Sequence, residues 1–324
     1  MKKTITIWDG DLLTFRFAAA HERRAINVIH VPSGREKEFK NRTEFKAFLK
    51  AANKEFYPDE YIIEDKQYPQ VFKNVSTAIK NKIDSVNSNL FADETIICLS
   101  GTSNFRDRLR LPSKYKGNRE DLVRPIHLDA AKIWTLKNFN SVAAEDREAD
   151  DEQIIKGYEY LDKGYEVILC GADKDSFAYS GLSLYDFTQD APEVTLIPDF
   201  GRLELDEKKK VRGKGFIWFC FQWINGDVTD HFKPCEINGS KFGEMSAYKI
   251  LKDCKDEQEA LKVVVDQYKK WYPTEFEYSD FEYELHKADY KVMLDLYFKC
   301  CRMKQTEDDP LDSVAFLKKY GVEL

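Results

Sequence analysis

Eight acidic residues in four short stretches have the type and spacing to do chemistry. They are Asp9 in "WDGD", Glu148, Asp150 and Asp151 in "READDEQ", Asp173 and Asp175 in "GADKD", and Asp227 and Asp230 in "GDVTD". Acids alone suit a helix N-terminus, where they meet the positive end of the macrodipole. That explains 148–151, because Ile154, Ile155, Tyr158 and Leu161 then recur at the spacing of one helical face. It does not explain acids at the tips of two separate strands. If those strands are neighbours, the carboxylates converge, and like charges so crowded repel unless a cation neutralises them. Oxygen donors in that number suit Mg²⁺ or Mn²⁺.

The elements that must position these acids alternate along the first half of the chain. "KTITIWDG", "ETIICLSG" and "YEVILCGADKD" read as strands, ending at Asp9, at Ser100–Gly101 and before Asp173. Helical patterns lie between them at 43–55, 70–90, about 125–140 and 151–162. Strands separated by helices predict an α/β fold, a parallel-sheet core with helices on both faces, whose ligands bind beyond the carboxyl ends of the strands. The character changes near residue 200. We therefore expect a core over 1–200 and a mainly helical C-terminal region over 201–324. "FIWFCFQWIN" stops at Gly226 and reads as a buried helix; Gly239 and Gly243 precede another helical pattern, and 255–324 looks helical.

Charge and composition narrow the function. The 324 residues are 43% hydrophobic and carry a net charge of −7, which argues against a general nucleic-acid coat. Yet "RDRLRLPSKYKGNR" holds Arg106, Arg108, Arg110, Lys114, Lys116 and Arg119 against the single acid Asp107. Without the eight named acids, the remaining 49 of 57 acidic residues face 50 Lys and Arg, so bound cations would turn a repelling cleft into an attracting one. Seven cysteines without a CxxC pair predict reduced thiols in a soluble, cytoplasmic protein. No apolar run is long enough to span a bilayer, and the first residues carry no signal-peptide hydrophobic region. Phosphate-loop, dinucleotide-fingerprint and nucleophile-elbow patterns are all absent.

The motifs "WDGDLLTFRFAAAHE", "SNFRDRLRLPSKYKGNR", "READDEQ", "CGADKDSF" and "INGDVTDHF" occur in an order that resembles the phage 5′→3′ exonuclease and flap endonuclease family. The likeness is nearest to the exonucleases of T-odd bacteriophages, with the 5′ nuclease domain of bacterial DNA polymerase I further off. It spans residues 8–250. The resemblance implies a PIN-like 5′ nuclease core and two divalent ions held by Asp9, Glu148, Asp150, Asp151, Asp173, Asp175, Asp227 and Asp230. It implies that Lys116 and Arg119 act on the scissile phosphate, and that Arg106 and Lys114 join them in contacting DNA. A helical motif at about 225–252, with Gly239, Lys241 and Gly243, would grip duplex backbone, and a monovalent cation often accompanies that motif. The implied substrate is DNA with free or flapped 5′ ends, with an RNA–DNA hybrid as a further class, cleaved by a monomer without a membrane partner.

One departure stands out. Gly101 falls where the family has an aspartate after its second strand. Asp107 lies beyond Asn104–Arg106, so altered metal binding, compensation by Asp11 and a local misalignment are the alternatives. The same glycine motivates a second function, a non-catalytic protein that binds branched or 5′-ended DNA on a degenerate nuclease site.

Overall fold

The computed structural model describes residues 2–324. β1 (Thr4–Asp9) runs directly into α1 (Gly10–Ala20). Next come β2 (Glu22–His30), β3 (Arg35–Phe39), α2 (Arg42–Ala51) and β4 (Tyr61–Pro69). α3 (Phe72–Asn89) leads to β5 (Glu94–Leu99). Beyond the basic segment lie α4 (Leu128–Asn138), β6 (Ser141–Ala143), α5 (Ala149–Asp162) and β7 (Glu166–Cys170). Four short strands follow: β8 (Ser183–Tyr185), β9 (Val194–Leu196), β10 (Arg202–Leu205) and β11 (Val211–Lys214). The chain then forms α6 (Phe216–Asn225), α7 (Glu244–Leu251) and α8 (Glu257–Trp271). It closes with β12 (Phe276–Ser279), β13 (Leu285–Ala288), α9 (Tyr290–Cys301) and α10 (Ser313–Lys319).

The main sheet has the order β6-β5-β1-β7-β8-β9, parallel except for β9. β1 sits between β5 and β7, with Asp9 opposite Cys98 and Trp8 opposite Cys170. The strands expected to be neighbours are neighbours, so the acids that follow them share one end of the sheet. Alternation along β1 sends Ile5 and Ile7 to one face, where they are fully buried with Ile154 of α5, Val167 and Leu169. On the opposite face the Thr6 hydroxyl donates to Asn87 of α3 at 2.7 Å. α5 thus covers one face of the parallel strands, and the end of α3 meets the other.

The chain does not divide at residue 200. One compact unit comprises residues to Asp11, Val86–Leu122 and Phe139–Leu324; the other comprises Leu12–Ser85 and Val123–Asn138. The reason lies in the core around α6. Ile217–Ile224 are all buried, so this helix is apolar on every side and is enclosed by α7, α8 and α9. The same apolar cluster takes in Leu111 and Tyr115 from the basic segment. Each such buried side chain contributes about 1.5–3 kcal/mol relative to exposure. The β12–β13 hairpin interrupts the stretch after residue 255, which the sequence pattern reads as helical.

In the second unit β2 is the central strand of an antiparallel sheet ordered β3-β2-β4. Phe45 and Leu49 of α2 are buried with Ile26, Val28 and Phe39 of that sheet. The helix at 42–51 matches its pattern; the sheet was not anticipated, because "REKEF" hides its alternation under charge. Among the described residues no helix is long and apolar enough to cross a membrane.

Candidate metal centre

α5 begins with Glu148 as its N-cap, whose backbone N–H donates to Asp151 Oδ2 at 3.2 Å. Asp9 ends the central strand and is 8% exposed. Asp173 follows β7, and its Oδ1 accepts the Asp175 N–H at 2.8 Å, which folds "GADKD" into a tight turn. Asp227 follows α6 where Gly226 has φ +74°. A Cβ there would lie 2.5 Å from the Phe232 carbonyl, so only glycine allows this return of the chain.

These segments bring most of the expected ligands together. A cavity of about 10 Å³ is lined by Glu148, Asp150, Asp151, Asp173, Asp175 and Asp230, with Arg106, Tyr115, Cys300, Cys301 and Met303. That space suits a single ion or water and no substrate. Burial and then the charges of Asp9, Asp173 and Glu148 push the Asp150 carboxyl well above its ordinary pKa. Burial followed by the Asp173 charge does the same to Asp175. Burial also raises Asp173 and Asp230. One carboxylate oxygen each from Asp175, Asp227 and Asp230 lies within 4.8 Å of the others. Those three carboxylates fit a hard divalent cation.

Asp151 stands apart from the other acids. Its oxygens lie 2.5 and 3.0 Å from the Arg106 guanidinium, and Oδ1 also accepts the Lys304 N–H at 2.9 Å. Burial opposes its charge, but Arg106 outweighs burial and holds its pKa below the usual carboxylate range. With both oxygens engaged it anchors α5 to Arg106 and to the chain after α9. Arg106 is buried with it. At 2% exposure, with further bonds to the Cys300 and Arg302 carbonyls, it is out of reach of DNA.

The "YKGNR" turn sits on the "GDVTDH" loop. The Lys116 N–H donates to the Asp230 carbonyl at 2.9 Å, Asn118 to the Val228 carbonyl at 3.1 Å, and Arg119 Nη2 to Asp230 Oδ1 at 2.8 Å. The Lys116 ammonium binds Glu148 and lies 3.7 Å from Asp230. Burial works against that charge, but Glu148, Asp230 and Asp150 outweigh it and raise the lysine pKa. Lys114 is exposed and pairs with Glu120.

Two residues at the centre, Lys174 and Gln222, escaped the sequence reading. Lys174 Nζ lies 2.8 Å from Asp227 Oδ2, and its charge outweighs burial to hold that carboxyl below its usual pKa. Gln222 Nε2 donates to Asp175. Its signal was present: a single amide inside "FIWFCFQWI" must find a buried partner. The Tyr115 hydroxyl lies 3.0 Å from both Glu148 and Asp230, while its ring stacks on Phe232. At 4% exposure it belongs to the buried core.

Gly101 also finds its reason. A Cβ there would lie 2.1 Å from the Ala144 carbonyl, so the close approach of the two backbones excludes every side chain. Asp11 accepts the neighbouring Ser100 N–H at 3.3 Å. Burial and then the Glu148 charge raise the Asp107 pKa, which puts that acid within electrostatic reach of the centre.

In the helical motif, Gly239 has φ +66° and Gly243 caps α7; neither has a neighbour within 4 Å of where a Cβ would stand, and Lys241 is exposed. The Cys235 thiol faces the Ser240 and Phe242 carbonyls at 3.6 and 3.7 Å.

No family model matches the chain, and no curated protein matches it. Among solved structures it is similar to bacteriophage T5 flap endonuclease in a pseudo-enzyme-product complex with DNA and metal ions. The two are 18% identical over 98% of each chain, with a TM-score of 0.47. A mutant of T5 5′-exonuclease is 15% identical, covering 98% of this chain and 96% of its own, with a TM-score of 0.46. T5 5′-exonuclease with bound zinc is 17% identical over 98% of each chain, with a TM-score of 0.43.

Proposed function

We propose that this chain is a divalent-metal-dependent nuclease that hydrolyses phosphodiester bonds of DNA at 5′ ends and 5′ flaps. The observation that carries the proposal is the convergence of crowded, pKa-raised carboxylates on a space fit for an ion. Asp9, Asp150 and Asp173, with Glu148, would hold one Mg²⁺ or Mn²⁺; Asp175, Asp227 and Asp230 would hold a second. Bound there, two such ions supply an activated water and neutralise charge on the phosphate.

The rest falls to the chain's own groups. Lys116 and Arg119 stand beside the acids on a turn whose backbone is bonded to the Asp230 loop. They would bind the scissile phosphate and stabilise the charge that grows on its oxygens. Lys174 would release Asp227 to a cation. The open backbone at Gly239 and Gly243, with Lys241, would meet duplex phosphates just ahead of the α7 N-terminus. The motif order, which resembles the phage 5′ nucleases, supports 5′-ended DNA as substrate; an RNA–DNA hybrid would pass through the same groups. We place the enzyme in the cytoplasm as a monomer.

The backbone contact at Gly101 favours a second reading, a structure-specific DNA-binding protein without turnover. The test is cleavage of a labelled 5′-flap duplex and a plain duplex with Mg²⁺, for the native chain and Asp173→Asn, with an EDTA control. Metal-dependent trimming lost in the variant supports the nuclease. Binding without cleavage, even with Mn²⁺, supports the binding protein.

A further inference from the structure

The second unit holds a pocket that has no part in this chemistry. Along β3 the alternation sorts charge by face. Arg35, Lys37 and Phe39 share the face covered by α2, and the Phe39 ring lies 5.3 Å from Phe45 and from Phe48. Glu36 and Glu38 take the other face, where Asn27 reaches Glu36 at 3.2 Å and Arg23 reaches Glu38 at 2.8 Å. Strand register sets His30 opposite both Arg35 and Tyr61. Between this end of the sheet and the last turn of α2 opens a pocket of about 380 Å³, floored by Val28, Phe39 and Leu49. That volume is typical of small-ligand sites.

Its rim is basic on an acidic protein. Its lining holds Arg35, Lys37 and Lys54 against the single acid Glu36, while the whole chain carries −7. Among the described residues Arg35, Lys37 and Lys54 have no carboxylate partner. Lys37 Nζ rests 4.1 Å from the centroid of Phe48, whose side chain is 43% exposed. Unpaired cations around exposed rings match a polyanion that also carries flat aromatic groups.

We propose that this pocket binds single-stranded nucleic acid. One base enters against Phe48 and Tyr61, and Arg35, Lys37 and Lys54 hold the phosphates on either side. No metal is needed, so the site stands apart from the nuclease chemistry and can be tested without it.

The experiment is fluorescence anisotropy of a labelled oligothymidylate with the full-length protein in EDTA. It compares the native chain with Phe48→Ala and with the Lys37→Ala/Lys54→Ala double variant. Loss of the stacking ring should weaken binding about tenfold. The double variant should lower the slope of log affinity against log salt by about 1.4, or 0.7 per lost phosphate contact. Mg²⁺-dependent cleavage of a blunt duplex should be unchanged by Phe48→Ala, and a cleavage failure in the native chain would leave the EDTA result intact. Unchanged oligonucleotide binding in both variants, each folded by circular dichroism, would overturn the proposal. So would equal competition by a polyglutamate peptide together with indifference to Phe48→Ala, which would mark a docking surface for an acidic protein.

Discussion

Asp150 and Asp151 are adjacent in sequence and live in opposite electrostatic worlds. Asp151 lies flat against Arg106, with a backbone N–H completing its bonds, and its pKa is lowered. Asp150, one position earlier, meets Asp9, Asp173 and Glu148, and its pKa is raised. A helix turns about 100° per residue, so neighbours at its first turn face different surroundings. One carboxylate ties α5 to Arg106 and to the chain after α9. The other belongs to a crowd that folding forces together at a cost in stability, which is what a site waiting for cations requires. A shared acidic motif therefore says nothing about which acid is structural.

The comparison breaks most sharply at Asp173. Asp173→Asn should lower cleavage about 10⁴-fold, or about 5.5 kcal/mol, while the fold persists, because an amide oxygen can still accept the Asp175 N–H. Cleavage within tenfold of native in a flap assay would remove the crowded acids from the mechanism. Asp151→Ala should cost about 3–5 kcal/mol in urea unfolding, because it strands a buried guanidinium; a loss under 1 kcal/mol would deny the anchor. Lys116→Ala should reduce kcat by about 10²–10³ and change DNA affinity only a few-fold. Equal losses in both, measured by single-turnover kinetics and binding, would make Lys116 a mere contact.

Asp150→Asn without metal should raise stability by removing a repelled charge. Acid titration sharpens the contrast. The stability due to Asp151 is present above the unfolded carboxylate pKa of about 3.9 and is lost as pH falls through its lower folded value. Asp150 has the reverse sign: its contribution is present below about 3.9 and is lost as pH rises through its raised folded value. The deficit of Asp151→Asn should therefore shrink in acid, and the gain of Asp150→Asn should vanish there. Chemical denaturation across pH with EDTA checks both.

Much of the fold could be read early. β1, β5 and β7 are short apolar runs ending in turn residues, and α2, α3 and α5 keep clear helical spacing. The β2-β3-β4 sheet and the β12–β13 hairpin could not, since "REKEF" places charge at most positions, "LHKA" is too short to show a period, and their partners are set by tertiary pairing. The basic segment was legible as a charge cluster but not as a division of labour. Arg106 is buried with Asp151, Lys114 pairs with Glu120, and only Lys116 and Arg119 stand over the acids.

The sequence by itself determined that strands would end in acids and that an acidic helix start would lie near them, because side-chain periodicity and turn chemistry are local. Tertiary structure alone decided which acids meet. β1 lies between β5 and β7, Lys174 and Gln222 reach Asp227 and Asp175, and a carbonyl from Ala144 leaves Gly101 no room for a carboxylate. Burial and Coulomb interactions depend on distances between residues far apart in the chain, and no spacing along the chain contains them.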